Sequence, residues 1–230
     1  MPLLDLLLPQ RCLACAEPGH AVCPPCLADL PRIVPPLCER CGAPTAWPVS
    51  RCSECTGRRN GFTTARAAVG YDNAARAIVG AWKERGRRLL AATAADVVAV
   101  GVERPDAAAV VPVPPDADRG LRRGHHPAGR LAAELATRWE LPVLPALRRA
   151  RPAARQRGLS RDARRRNVAG AFVSPDRVPP RVILVDDVYT TGATASAAAS
   201  ALRKAGARSV SVVTFARAVR GSGTGWSAPR

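Results

Sequence analysis

From residue 61 onward, short apolar runs alternate with longer segments in which apolar residues recur every three or four positions. The short runs predict strands at 63–71, 108–114, 141–150, 182–185 and 209–216. The longer segments predict helices at 73–86, 87–100, 126–140 and 194–206. Because strands that alternate with helices build parallel sheets, we expect an α/β fold with a doubly wound, mainly parallel sheet.

The first sixty residues follow neither pattern and contain all eight cysteines, so the chain divides into three predicted parts. Residues 1–60 form a small cysteine-rich domain, 61–220 form the α/β domain, and 221–230 form a flexible Gly/Ser-rich tail. The opening MPLLDLLLPQ is interrupted by Asp5 and Pro9 and lacks the basic start of a signal peptide, so we interpret it as a short docking helix. No stretch has the length of a membrane span, and we expect a cytoplasmic protein.

The cysteines form four Cys-x-x-Cys pairs: Cys12/Cys15, Cys23/Cys26, Cys38/Cys41 and Cys52/Cys55. Two such pairs supply the four thiolates of one tetrahedral site, so the spacing predicts two structural zinc ions in a double zinc ribbon. Disulfides would require an oxidising compartment, and we find no export signal. The spacing allows sequential sites, in which neighbouring pairs share an ion, and also a cross-braced arrangement. Because four sulfurs close a zinc site, we expect neither ion to be catalytic.

The chain is strongly basic, with 35 Lys and Arg residues against 18 Asp and Glu and a net charge of +17. Only Lys83 and Lys204 are lysines, so arginine carries nearly all of the positive charge. Such an excess of cations favours polyanionic partners, such as nucleic acids or polyphosphate groups.

Asp186 and Asp187 follow the apolar run at 182–185 and precede a Thr/Gly-rich loop. Ligands of open α/β sheets bind at the carboxyl ends of strands, and a loop that opens a helix binds phosphate through its backbone amides. Carboxylates repel phosphate but bind a ribose diol, directly or through Mg²⁺. A sugar phosphate therefore suits both halves of this segment. The predicted binding residues are Asp186, Asp187, Val188, Tyr189, Thr190, Thr191, Gly192, Ala193 and Thr194.

Two motifs resemble parts of the type I phosphoribosyltransferases. VILVDDVYTTGAT resembles their phosphoribosyl pyrophosphate (PRPP) loop, and VVPVPPDADRG resembles their pyrophosphate-binding loop. The resemblance implies a type I phosphoribosyltransferase fold that binds Mg²⁺ and PRPP, with Asp186 and Asp187 as catalytic residues. It implies a pyrophosphate loop formed by Pro112, Val113, Pro114, Arg119 and Arg123.

The whole chain resembles the ComF family, from DLLLPQRCLAC through YDNAARAIVGAWKERG and RQRGLSRDARRRNVAGAF to the acidic motif. Where that family has Arg-Gly-Phe-Asn-Gln, this chain has Arg123-Gly124-His125-His126-Pro127. The two histidines therefore either contact a ligand or begin the following helix exposed to solvent.

Nine of the nineteen residues from 148 to 166 are arginine, and Asp162 is the one acid among them. Cations crowded in this way repel one another unless an anion is near, which favours function over a solvated loop. By resemblance to type I enzymes the segment forms a lid over pyrophosphate, and its charge equally suits the backbone of single-stranded DNA. The predicted lid or nucleic-acid residues are Arg155, Gln156, Arg161, Arg164, Arg165, Arg166 and Asn167.

The ComF family is associated with DNA uptake during natural transformation. The resemblance therefore implies PRPP, single-stranded DNA and DNA-uptake or helicase machinery as partners. We favour a PRPP-binding protein associated with DNA uptake. The alternative is an active phosphoribosyltransferase that transfers phosphoribosyl from PRPP to an unidentified acceptor and releases pyrophosphate.

Overall fold

The computed structural model describes residues 10–84, 89–115, 126–150 and 170–219. The docking helix predicted at the start of the chain and the tail predicted at its end lie outside these ranges. Most of the arginine-rich segment also lies outside them, so its predicted role as a lid or nucleic-acid surface stays a prediction.

A parallel sheet of four strands forms the centre of the protein. The described strands are β1 (Thr64–Gly70), β2 (Ala109–Pro112), β3 (Arg148–Arg149), β4 (Phe172–Val173), β5 (Arg181–Tyr189) and β6 (Ser209–Arg217). The sheet has the order β1-β6-β5-β2, and every neighbouring pair in it is parallel. β3 and β4 form a separate antiparallel pair.

Helices cover both faces of the sheet. The described helices are α1 (Pro24–Ala28), α2 (Asn73–Glu84), α3 (Leu90–Gly101), α4 (Pro127–Trp139) and α5 (Ala193–Lys204). α2, α3 and α4 pack on one face, and α5 packs on the other. The predicted α/β fold with a doubly wound parallel sheet is therefore confirmed. Across the described ranges, no helix is long and apolar enough to cross a membrane.

Burial on both faces explains why the apolar run at 182–185 is continuous instead of alternating. All four of its side chains are buried in β5, two against each face. α4 has an apolar stripe instead, because only one side of it meets the sheet. Leu131, Leu135 and Trp139 are buried along that stripe at intervals of four residues.

The segment before residue 61 covers the outer edge of β1, which would otherwise present unpaired backbone groups. The amide of Ile33 donates to the carbonyl of Ala68 at 3.0 Å, and the amide of Gly70 donates to the carbonyl of Pro31 at 2.8 Å. Further along the same edge, the amide of Ala65 donates to the carbonyl of Arg40 at 2.9 Å. The cysteine-rich segment thus satisfies an edge strand that a bare sheet would expose.

The same segment contributes to both hydrophobic cores. Cys12 and Leu30 are buried in the core that contains α2, α3 and α4. Cys38, Cys41 and Cys55 are buried in the core that contains α5. The cysteine-rich segment is therefore packed on both sides of the sheet around β1, while the predicted domain boundary near residue 60 stays a prediction.

The prediction of a strand at 141–150 is wrong for most of that range. Within it, Val143 makes an isolated parallel bridge to Val110, and only Arg148–Arg149 forms a strand, which pairs with β4. Pro142 and Pro145 explain the difference, because proline has no amide hydrogen to donate to a ladder.

β5 is longer than its apolar run. The prediction ended the strand at residue 185, but parallel pairing with β6 continues through Val188 opposite Ala216 and Tyr189 opposite Arg217. Val188 and Tyr189, expected in the loop, are therefore strand residues. Asp186 and Asp187 therefore lie within β5, because the pairing of this strand with β6 continues beyond the apolar run at 182–185.

The close approach to α5 of the backbone that follows the cysteine-rich segment can be tested at Gly61. A Cβ atom added there would lie 2.4 Å from the carbonyl oxygen of Ser196, a backbone atom that cannot rotate away. We expect Gly61→Ala to lower the free energy of unfolding by about 1–3 kcal/mol because the chains must separate.

Gly80→Ala is the matched control for Gly61→Ala. Nothing lies within 4 Å of a Cβ at this position in α2, so alanine should raise the stability by up to about 1 kcal/mol. Urea unfolding followed by circular dichroism measures both variants. Equal effects of the two substitutions would contradict the packing described here.

Candidate functional site

The eight cysteines form two separate clusters of four. The first contains Cys12, Cys15, Cys23 and Cys26, and the second contains Cys38, Cys41, Cys52 and Cys55. In each cluster all four sulfur atoms lie within 4.8 Å of one another. Tetrahedral zinc with bonds of about 2.3 Å requires sulfur atoms about 3.8 Å apart. The donor sets therefore fit zinc, and of the two arrangements that the spacing allowed, the structure has the sequential one.

Backbone amides and crowding act in opposite directions on the thiols of the first cluster. Burial raises the pKa of Cys12, but the amides of Cys15 and Cys23 outweigh it and lower that pKa to about 6. The neighbouring Cys23 thiol raises the pKa of Cys26. Four thiolates this close repel one another, so a cation between them is needed for all four to ionise.

The second cluster has the same arrangement but is more deeply buried. The Sγ atoms of Cys41 and Cys52 lie 3.6 Å apart, and those of Cys38 and Cys55 lie 4.0 Å apart. The amide of Cys52 donates to the Cys38 sulfur at 3.3 Å, and the side chain of Asn60 donates to the Cys55 sulfur at 3.8 Å. Such donors orient the ligands of a metal and stabilise their negative charge.

A loop of three residues, Thr190 to Gly192, joins β5 to α5. Gly192 precedes the helix in the left-handed region, with φ of 72°, and a Cβ atom there would lie 2.3 Å from the Tyr189 hydroxyl. Glycine is therefore required at this position for two independent reasons. The amide of Ala193 donates to the Thr191 hydroxyl at 3.4 Å.

This loop and the start of α5 surround a small cavity at the carboxyl end of β5. The cavity is lined by Asp186, Val188, Tyr189, Thr190, Gly192, Ala193, Thr194, Ala195 and Thr214. Most of the residues predicted to bind a sugar phosphate are thus gathered around one space. The positive end of the helix dipole also points into it, which favours an anion.

The two adjacent carboxylates have different surroundings. Asp187 is buried on the α2 side, where its Oδ2 atom lies 2.5 Å from the Nζ atom of Lys83. Asp186 lines the cavity, and its Oδ1 atom accepts the amide of Asp187 at 2.9 Å. Burial and the charge of Asp187 raise the pKa of Asp186 to about 7, against the opposing charges of Lys83 and Arg149. The ion pair with Lys83 offsets the repulsion that the sequence alone implies.

The backbone after β2 lies beside β5 and is fixed from three directions. The amide of Val113 donates to Val185 at 2.9 Å, and the Nε2 atom of His126 donates to the carbonyl of Val113 at 2.8 Å. Arg149 Nε donates to the carbonyl of Pro115 at 3.1 Å while its guanidinium lies 4.7 Å from the centre of the Phe172 ring. The loop predicted to bind pyrophosphate therefore begins next to the acidic strand.

Not every predicted residue falls in the described ranges. Pro112, Val113 and Pro114 lie beside β5, whereas Arg119 and Arg123 of the same loop lie outside. The lid residues from Arg155 to Asn167 also lie outside, as does His125. His126 is half-buried and bonded to the β2 loop, so of the two alternatives left open for this residue, full exposure to solvent is not the one found.

Sequence reasoning missed three residues that shape the site: Lys83, Arg149 and Arg217. Lys83 carried a signal, because it is one of two lysines in a chain whose other basic residues are arginine. Arg149 lies in the arginine-rich segment but was not distinguished from its neighbours, and Arg217 carried no signal because its contacts cross a long sequence separation. Arg217 contacts Tyr189 and the second cysteine cluster at the same time.

A doubly wound α/β sheet, with one edge covered by a segment that contains two four-cysteine clusters, defines a zinc-ribbon α/β protein. Residues 3–56 match the double zinc ribbon domain family. The chain is 28% identical over 226 residues to competence protein F of Haemophilus influenzae, covering 90% of this chain and 97% of that protein. It is 29% identical over 230 residues to the DNA utilization protein YhgH of Salmonella typhimurium, covering 92% and 99%.

Together the zinc ribbon and these full-length similarities support the resemblance to the ComF family that the sequence motifs carry. A solved structure, TT1426 from Thermus thermophilus, overlaps 59% of this chain and 84% of its own. The sequence identity to it is 21% and the TM-score is 0.31.

The cysteine clusters predict two zinc ions for each chain, because each cluster holds one complete tetrahedral donor set. Elemental analysis of protein purified without chelator measures the zinc content directly. A content near one would contradict the two-site arrangement, and disulfides within the pairs would contradict zinc binding. The matched variants Cys15→Ser and Cys52→Ser should each lower the content by one.

Proposed function

We propose that this protein binds Mg²⁺–PRPP at the carboxyl end of β5 and acts in DNA uptake, where it also binds single-stranded DNA. The observation that carries the proposal is one cavity that combines a carboxylate, a Thr/Gly-rich loop and a helix N-terminus. The relatives named competence protein F and DNA utilization protein support the biological setting.

The two halves of PRPP match the two halves of the cavity. The 5′-phosphate is suited to the backbone amides at the start of α5 and to the hydroxyls of Thr190 and Thr194, which line the cavity. The ribose hydroxyls are suited to Asp186, the carboxylate that lines the cavity. The pyrophosphate then extends toward the backbone after β2, which runs beside β5.

Asp186 is the described residue best placed to hold Mg²⁺, directly or through water. It is partly exposed to the cavity, and carboxylate oxygens are the ligands that Mg²⁺ prefers. The ion supplies charge neutralisation for the pyrophosphate group. Asp187 has a supporting role in this proposal, because its ion pair with Lys83 holds this part of β5 against α2.

The alternative, an active phosphoribosyltransferase, uses the same cavity. It is favoured by one further observation, the position of the β2 loop beside the acidic strand, where a leaving pyrophosphate would lie. Release of pyrophosphate from PRPP in the presence of candidate acceptors distinguishes turnover from binding alone.

Calorimetry with Mg²⁺–PRPP tests the proposed binding site. Loss of one charge-assisted hydrogen bond costs about 1.5–3 kcal/mol, so Asp186→Asn should weaken binding by about 10- to 150-fold. Asp186→Asn combined with Asp187→Asn should weaken it by about two orders of magnitude or more.

Asp176→Asn is the control for that experiment, because Asp176 is an exposed acid that is not among the residues lining the cavity. It should bind Mg²⁺–PRPP as the wild type does. Circular dichroism of each variant separates loss of binding from loss of fold. Wild-type protein that does not bind PRPP in the presence of Mg²⁺ would refute the proposal.

Single-strand binding should be mainly electrostatic, because the chain is strongly cationic and the arginine-rich segment has no aromatic residue between 148 and 166. Each neutralised phosphate contributes roughly 0.7 to the log–log dependence of affinity on salt. Replacing Arg164, Arg165 and Arg166 by alanine should therefore flatten the slope by about two units.

The cysteine-rich segment is the rival site, since Arg51 and Arg59 are exposed there. Because this segment contributes to both cores, it is best tested by Arg51→Ala with Arg59→Ala and not by truncation. Arg208→Ala, an exposed residue just before β6, controls for general loss of charge. If only the pair in the ribbon changes the slope, the site lies there. No binding by the wild type at low salt would contradict the nucleic-acid role.

A further inference from the structure

Arg217, the last residue of β6, is a charged side chain inside the protein. It is 2% exposed, and the Nε atom has no hydrogen-bond partner among the described residues. Burying a guanidinium is costly unless each part of it is matched by a partner.

On one side, Arg217 holds both halves of the second cysteine cluster. Its Nη1 atom donates to the backbone carbonyl of Cys41. The sulfur atom of the same residue belongs to the second cysteine cluster. Its Nη2 atom lies 3.3 Å from the carboxylate of Glu54, which stands between the ligands Cys52 and Cys55. The rigid guanidinium fork thus contacts one residue from each Cys-x-x-Cys pair of that zinc site.

On the other side, Arg217 contacts the residue that precedes the Thr/Gly-rich loop. Its guanidinium carbon lies 5.0 Å from the centre of the Tyr189 ring, and the two residues are opposite each other in the β5–β6 register. The Tyr189 ring also meets Phe62 edge to face, with centroids 6.2 Å apart. Its hydroxyl lies 2.3 Å from the position that a Cβ atom of Gly192 would take.

A continuous series of contacts therefore runs from the second zinc site through Arg217 and Tyr189 to the turn at Gly192. The first cysteine cluster is placed differently. It packs with Val22 and Leu30 in the core on the opposite face, together with α2 and α3. The two zinc sites are alike in chemistry but not in their relation to the cavity.

We propose that Arg217 is a positioning residue through which the second zinc site holds the loop at Thr190 to Gly192 in its binding conformation. Zinc at Cys38, Cys41, Cys52 and Cys55 then supports anion binding, whereas zinc at the first cluster supports only the opposite core. The effect on PRPP affinity rests on the proposed function, but the effect on the loop does not.

Amide hydrogen exchange of the full-length, zinc-loaded protein tests the coupling without any ligand. In Arg217→Lys the charge is kept, but the planar fork and the stacking on Tyr189 are lost. Peptides covering residues 188–195 should exchange at least about tenfold faster than in the wild type. Peptides from α4 should keep their rate, since general destabilisation would accelerate them as well.

Two pairs of variants supply the controls. Arg208→Lys makes the same chemical change at an exposed position and should leave the loop unchanged. Cys52→Ser and Cys15→Ser each remove one ligand from one site, and only Cys52→Ser should accelerate exchange in the loop. Arg217→Lys should still contain two zinc ions, which separates loss of the connection from loss of the metal.

The affinity for Mg²⁺–PRPP provides the second readout, with an expected loss of about tenfold in Arg217→Lys and in Cys52→Ser but not in Cys15→Ser. Wild-type protein without PRPP affinity would refute the proposed function, and the exchange rates would still decide the coupling. The inference is overturned if Cys15→Ser loosens the loop as much as Cys52→Ser does. It is also overturned if the loop of Arg217→Lys exchanges at the wild-type rate.

Discussion

The parallel pairing of β5 with β2 on one side and β6 on the other is the interaction on which the cavity depends. It brings the carboxyl end of β5 beside the backbone that follows β2, and it sets which face each carboxylate meets. Side chains alternate along a strand, so a slip of one residue would exchange the surroundings of Asp186 and Asp187. The buried apolar run at 182–185 prevents such a slip, because all four of its side chains fill one core or the other.

Two adjacent acids near the end of an apolar strand are tolerated because their side chains have different surroundings. Asp187 is neutralised by Lys83 from α2, while Asp186 keeps access to the cavity and a raised pKa. The raised pKa is the consequence of burial next to a second carboxylate, and a bound cation would favour the ionised form. The region that we propose to bind an anion through backbone amides thus also presents a carboxylate that would favour a cation.

Local sequence predicted the features that depend on local chemistry. The Cys-x-x-Cys spacing predicted both zinc sites, and the alternation of apolar periods predicted the parallel sheet. The prediction of a strand at 141–150 was wrong because two prolines in this apolar stretch lack the amide hydrogens that a strand ladder requires. The sequential pairing of the cysteines, the Lys83–Asp187 ion pair and the contacts of Arg217 were beyond prediction, since each joins residues whose proximity only the folded chain creates.

The closed edge at β1 also affects how the chain is made. In the sheet β1 has one neighbour, β6, which is the last of the described strands to be synthesised. Chains emerge from the ribosome at about 5–20 residues per second, so β1 waits several seconds before β6 exists. During that interval the cysteine-rich segment has already been synthesised. Of the described hydrogen bonds along the edges of β1, those to this segment can therefore form first. Zinc binding soon after synthesis of the cysteine-rich segment would therefore help this segment to cover β1 and protect the unpaired strand from aggregation.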